Sequence, residues 1–169
     1  CFQLRALSRN LPWLRRGYQL LRHPGMLRRN ALLRKQHQLA GALPIPPGRL
    51  IYLVQGSDSV EIFLVSGLQS AQMIQELLAK HQIELNSLSS ILDFGCGVGR
   101  VIRHWVNLQG PRLYGCDVNP ELVGWCQQNL RYAAFQQNDL HSRLAFPDQT
   151  FDLVYAISVF THLDATIAL

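Results

Sequence analysis

Acidic residues are missing from the first fifty positions of this 169-residue chain. Ten Arg or Lys stand there against no Asp or Glu, whereas residues 51–169 hold six basic residues against eleven acidic ones. The net charge is therefore +10 in the first part and −5 in the second, so the overall +5 hides an acidic half and gives no reason to expect a nucleic-acid partner. No apolar run approaches the ~20 residues that span a bilayer, which excludes a transmembrane helix. Cysteine is sparse as well. Cys1, Cys96, Cys116 and Cys126 include no Cys-x-x-Cys pair, so a metal site or a redox motif is not expected, and the thiols read as reduced ones in a cytoplasmic protein.

The chain is rich instead in strand ends that carry glycine or polar residues. Residues 91–100 read Ile-Leu-Asp-Phe-Gly-Cys-Gly-Val-Gly-Arg. Ile91, Leu92 and Phe94 suit a buried strand, and Gly95, Gly97 and Gly99 let the chain turn with no Cβ in the way of a ligand. From Val98 the spacing predicts a helix with Val98, Val101, Ile102 and Trp105 on its apolar face and Arg100, Arg103 and His104 off it. Amide donors at that helix start would face the glycine loop. A glycine loop alone is a weak signal, and the dinucleotide fingerprint has its third glycine one residue later than Gly99.

The segments that follow sharpen the reading. Arg112 to Cys116 is a second short strand, and Asp117 after it lies ~20 residues beyond the glycines, the spacing at which an acid meets ribose hydroxyls. Val118-Asn119-Pro120 opens a helix with the stripe Leu122, Trp125, Cys126 and Leu130. Ala133 to Gln136 is a third strand, followed by Asn138-Asp139-Leu140, a polar pair suited to an adenine amino group. A proline- and aspartate-bearing turn at 146–152 leads into a fourth strand, Leu153 to Val159, expected to be buried on both faces. Open parallel sheets bind ligands at the carboxyl ends of their strands, where these polar groups converge.

Asp93-Phe94-Gly95-Cys96-Gly97-Val98-Gly99 resembles the nucleotide motif of the class I S-adenosylmethionine-dependent methyltransferases, and the resemblance extends in register over about residues 88–165. It implies a Rossmann-like, doubly wound parallel α/β sheet, of which this chain holds the first four strands of seven in the family order 3-2-1-4-5-7-6. It implies that Asp93 and the backbone of Gly95, Cys96, Gly97 and Gly99 contact the methionine part, with Cys96 as a small lining group. Asp117 would bind the ribose, Val118 and Leu140 the faces of the adenine, and Asn138 and Asp139 its amino group. Ser158 would line the methyl-donor side. His162, four residues on, is the candidate general base, since its ordinary pKa lies near neutrality. The wording Tyr-Gly-Cys-Asp-x-Asn-Pro-Glu and Ser-Val-Phe-Thr-His-Leu is similar to bacterial members that act on small molecules or glycans. Because strands five to seven are missing and the first residue is Cys1, the chain is expected to be a fragment, inactive alone.

Residues 1–48 read as a basic helical extension and linker, 49–87 as a segment capping the cleft, and 88–169 as the cofactor domain. Leu4, Leu7, Leu11, Leu14, Tyr18 and Leu21 make a basic amphipathic pattern, with Asn10 as a cap and Pro12 in the first turn. A second basic helix is expected from Met26 to Leu39, then a proline-rich linker over 42–48. An apolar stripe of this kind first of all packs on its own domain, and peripheral contact of residues 1–40 with an anionic membrane is the functional alternative. Ile51 to Val54 and Ile62 to Val65 are expected as strands and Ser70 to Ala79 as a helix. The expected function is methyl transfer from S-adenosylmethionine to a small-molecule or glycan acceptor. The alternatives are an NAD(P)-dependent oxidoreductase and a non-catalytic membrane-associated scaffold with a vestigial pocket.

Overall fold

The computed structural model describes residues 24–139 and 144–159. The first amphipathic pattern, Leu140 and the segment from Phe160 onward, His162 included, lie outside the described residues. The chain divides into two compact units, residues 1–42 and 43–169. In the first, helix α1 runs Pro24–Leu39, starting two residues before the expected Met26. Proline is tolerated there because the first helical amides have no acceptor within the helix.

The second unit opens with two helices, α2 (Gly48–Gln55) and α3 (Val60–Lys80). Both segments expected as strands, 51–54 and 62–65, are therefore helical. The short β-branched runs sit inside a longer 3.6-residue period, in which Val60, Phe63, Gly67, Ala71 and Ile74 form the buried face of α3. The Ser59 side chain accepts the Ile62 N–H at the start of α3, and Gly56, at φ 71°, closes α2 by donating its N–H to Tyr52 O.

Four parallel strands follow: β1 (Ser90–Phe94), β2 (Arg112–Asp117), β3 (Ala134–Gln137) and β4 (Leu153–Tyr155), with helix α4 (Pro120–Asn129) between β2 and β3. Their order in the sheet is β3-β2-β1-β4. Ser90 pairs with Arg112 and Phe94 with Cys116, Tyr114 pairs with Ala134, and Asp93 pairs with Tyr155. The order reverses at β1, whose carboxyl end is where a doubly wound sheet opens a crevice.

Alternation along the strands puts Ile91, Asp93, Leu113, Phe135 and Tyr155 on one face. The apolar members of that set join Ala71 and Ile74 of α3, Trp105, and Val123, Cys126 and Leu130 in the core. On the other face Tyr114 meets Phe151 edge-on at 5.2 Å and Phe146 at 5.9 Å. The fourth strand is shorter than expected and is not buried on both faces: Val154 is 54 % exposed, and Ser158 at φ 62° departs from extended backbone.

The helix expected from Val98 is replaced by turns and a short 3-10 helix over Ile102–Trp105. Gly97 and Gly99 have φ of 55° and 69°, values incompatible with a right-handed helix, so no helical register starts before Arg100. Three residues per turn also rotate Arg103 off the polar side where the 3.6 period would put it. Arg103 is 5 % exposed; its Nη2 donates to Leu43 O (3.2 Å) and Pro44 O (2.9 Å), and its guanidinium lies over the Phe63 ring. Among the described residues, no helix is long and apolar enough to cross a membrane.

Candidate functional site at the glycine loop

Asp93 ends the core face of the central strand, and that position makes it unusual. It is 3 % exposed, and its Oδ2 has no hydrogen-bond partner. Burial pushes its carboxyl up to about 7; the Tyr155 hydroxyl, the Arg100 charge and the Ile102 amide pull the other way. Tyr155 stands opposite Asp93 in the register, and its hydroxyl acts on the carboxylate without reaching hydrogen-bond geometry. A buried carboxylate oxygen without a partner is open to a cation or a donor from a ligand.

The glycine loop turns back over β2. The amides of Gly95 and Cys96 both donate to Cys116 O, at 2.8 and 2.9 Å. Asp117 joins the loop to the end of β2: its Oδ2 accepts the Gly97 N–H and its Oδ1 the Asn119 N–H, each at 2.9 Å. Each oxygen keeps a lone pair after these bonds, so ribose hydroxyls can still be accepted. Asn119 in turn caps α4 by accepting the Glu121 N–H, Pro120 takes the first turn, and Glu121 pairs with Arg49 of α2.

Asn138 follows β3; its amide donates to Asp117 O at 3.1 Å, and its side-chain oxygen is buried without a partner. That orphaned acceptor matches a ligand amino group. Val118 is 41 % exposed at the same edge, Asp139 is exposed, and Ser158 is exposed beyond β4.

Cys96 does not line a cleft. Its side chain is 4 % exposed and belongs to the core, beside Cys126, whose thiol donates to Gly97 O. The thiol of Cys96 is held well above its ordinary pKa by the neighbouring Cys126 and by burial, which leaves it protonated and unreactive. A Cβ on Gly97 would meet Val54 of α2 and one on Gly95 would meet Val159, so apolar side chains already rest on the loop. Cavities of about 750 and 370 Å³ lie elsewhere, the larger around Phe146, Phe151 and Val154, the smaller between α3 and Tyr155 to Ile157. Hydrogen bonds thus link Gly95, Cys96 and Gly99, and Gly97, Asp117 and Asn138, around the end of β2, and Asp93 lies just before them on β1. Arg100 and Tyr155, which flank Asp93, were not singled out by the sequence; for Tyr155 the signal was the alternation from Leu153, which aims it at the Asp93 face. Among the described residues no group of three or more His, Cys, Asp or Glu could hold a metal ion.

Residues 92–169 match the family described as a methyltransferase domain. A sterol 24-C-methyltransferase of Gibberella zeae is 34 % identical over 88 residues, covering 48 % of this chain and 23 % of that protein. A phosphoethanolamine N-methyltransferase of Plasmodium falciparum is 30 % identical over 84 residues, covering 48 % of this chain and 31 % of its own. The chain thus spans less than a third of the length of these curated relatives. A TehB-like SAM-dependent methyltransferase from Corynebacterium glutamicum is similar in structure with a TM-score of 0.42 and 24 % identity, over 61 % of each chain.

Proposed function

We propose, from the match of residues 92–169 to the methyltransferase domain family, that this chain binds S-adenosylmethionine and, as part of the whole protein, transfers its methyl group to a small-molecule or glycan acceptor. The observation that carries this reading is the glycine loop tied by Gly97 N–H to Asp117, with the unpartnered Asp93 Oδ2 on one side of it. The cofactor fits the acceptors present. Asp93 would take its ammonium group, the lone pairs of Asp117 a ribose hydroxyl, and Asn138 Oδ1 the adenine amino group, with Val118 against the ring. S-adenosylmethionine, when bound, supplies a methyl group already activated by its sulfonium. The chain's task is then to orient and to exclude water, which in favourable intramolecular systems is worth ~7 to 11 kcal/mol of a barrier.

Ser158 and Leu140 belong to the same proposal, as the donor-side and adenine-facing residues, and His162 is proposed as the base that takes the acceptor's proton. Replacing His162 with Ala would lower kcat and remove the acidic limb of the rate profile if it has that role; an unchanged profile refutes it. The cofactor itself is tested by calorimetric titration with S-adenosylhomocysteine and, separately, with NADH. Binding of the thioether nucleoside alone supports the reading, and binding of NADH alone overturns it in favour of an oxidoreductase.

A further inference from the structure

Helix α1 exposes its leucines beside its cations. Asn30 is its buried residue, whereas Leu27, Leu32 and Leu39 are 41, 55 and 79 % exposed and Arg28 and Lys35 are exposed with them. Arg28, Leu32, Lys35 and Leu39 follow one another at spacings of four, three and four, so they lie along one side of the helix over about 17 Å. The first fifty residues contain no acid, and no carboxylate of that segment can offset Arg28 or Lys35. The apolar side chains of α1 are thus not spent on a core, contrary to the packing expected of a leucine-bearing stripe. A single exposed leucine is ordinary, but leucines alternating with cations on one open helix side fit a surface that is both apolar and anionic. Phosphates above acyl chains are such a surface: the leucines pass below the headgroups, while the long Arg and Lys stems lie along the same side and carry their charges up to the phosphates. A nucleic-acid backbone would match the cations and leave the leucines in water.

We propose that the exposed side of α1 docks on an anionic phospholipid surface, with Leu32 and Leu39 entering the headgroup layer and Arg28 and Lys35 on the phosphates. The inference does not use the cofactor reading and stands or falls separately from it. Residues 51–169 carry a net charge of −5 and are repelled by the same surface, so the attachment falls to the basic part of the chain. A helix merely solvated on this side is the competing account. It predicts no affinity for lipid of either charge.

The experiment is co-sedimentation of the full chain with vesicles of phosphatidylcholine alone and of phosphatidylcholine mixed with phosphatidylserine. Wild type is expected to bind the anionic vesicles at least about 10-fold more tightly than the neutral ones, and to lose most of that gap at about 0.5 M salt. Arg28→Gln with Lys35→Gln is expected to weaken binding to the anionic vesicles about 30-fold, roughly fivefold for each cation. Leu32→Ser with Leu39→Ser is expected to weaken it about 10-fold even at low salt, where a purely coulombic attachment would not change. Wild type that stays in solution, or binds both vesicles equally, overturns the inference. An unchanged Gln variant overturns it for α1, and an unchanged Ser variant overturns the lipid assignment in favour of a general polyanion site. A short DNA duplex that displaces the chain from the vesicles at equal phosphate concentration overturns it in favour of nucleic acid. A wild-type dimer that the Ser variant loses, without lipid binding, assigns the face to a second copy of the chain instead. All four positions are exposed; should one pair of substitutions lose helix by circular dichroism, the other pair decides.

Discussion

Asp93 carries a carboxylate on the same strand face as Ile91, Leu113 and Tyr155, and its position there makes folding depend on pH. A carboxyl raised from 3.8 to about 7 binds its proton more tightly folded than unfolded. Its contribution to stability is therefore full below about pH 4 and is lost as pH rises through about 7. His104 runs the other way. Burial, then the charges of Arg103 and Arg100, lower it from 6.5 to about 4, so the fold gains stability as pH rises between those values. Because the two oppose each other, the readout is the difference between wild type and Asp93→Asn in urea melts across pH. The variant is expected to gain on wild type from pH 4 to 7, by at most about 4 kcal/mol. A difference independent of pH would mean that Asp93 is solvated in the folded protein.

Asp117 makes a separate prediction. Asp117→Ala is expected to weaken S-adenosylhomocysteine binding by ~2 to 3 kcal/mol, the loss usual for hydrogen bonds to a charged group. Since Asp117 also holds the Gly97 amide, Asp117→Asn, which keeps an acceptor for that amide, is expected to lose less. Unchanged affinity in a folded Ala variant removes the site assignment. At this scale the sequence was most legible: the acid after β2 and the three glycines needed no tertiary context, since positive φ at Gly95, Gly97 and Gly99 is a local demand. Arg100 and the inward turn of Cys96 were not legible, because side-chain direction after a glycine turn depends on what packs beneath it.

Among the elements, the segment before the sheet departs most from its local pattern. The β-branched runs at 51–54 and 62–65 favour strands by propensity, and yet α2 and α3 are helices, because the longer 3.6 period through Val60, Phe63, Gly67, Ala71 and Ile74 buries more apolar surface on the core. Gly67 is required in α3, for a Cβ there would meet the backbone carbonyl of Arg100. Arg103 ties the linker to this arrangement through the carbonyls of Leu43 and Pro44. Arg103→Met keeps the stem that packs on Phe63 but removes the donors, and it is expected to cost about 2 kcal/mol in chemical denaturation. A variant as stable as wild type would show that water serves those carbonyls equally well.

Across the molecule, β1 is hydrogen-bonded on both sides, whereas β3 and β4 are the outer strands of the described sheet. Amide exchange is expected to be slowest in β1, slower than in β4, where three residues pair with one neighbour and Val154 is half exposed. Equal protection in the two strands would mean that β4 is covered on its outer side.

The sequence by itself determined the α/β class, the four strands, the glycine loop and the acid twenty residues beyond it, since each follows from short-range periodicity and from backbone conformations that few residues adopt. Only the tertiary structure decided that the upstream segment is helical, that the post-glycine turn is a 3-10 helix with Arg103 inside, and that Asp93 Oδ2 is buried without a partner. Those outcomes depend on which surfaces compete for burial between α2, α3 and the sheet, and that competition joins residues sixty positions apart, beyond the reach of any local pattern.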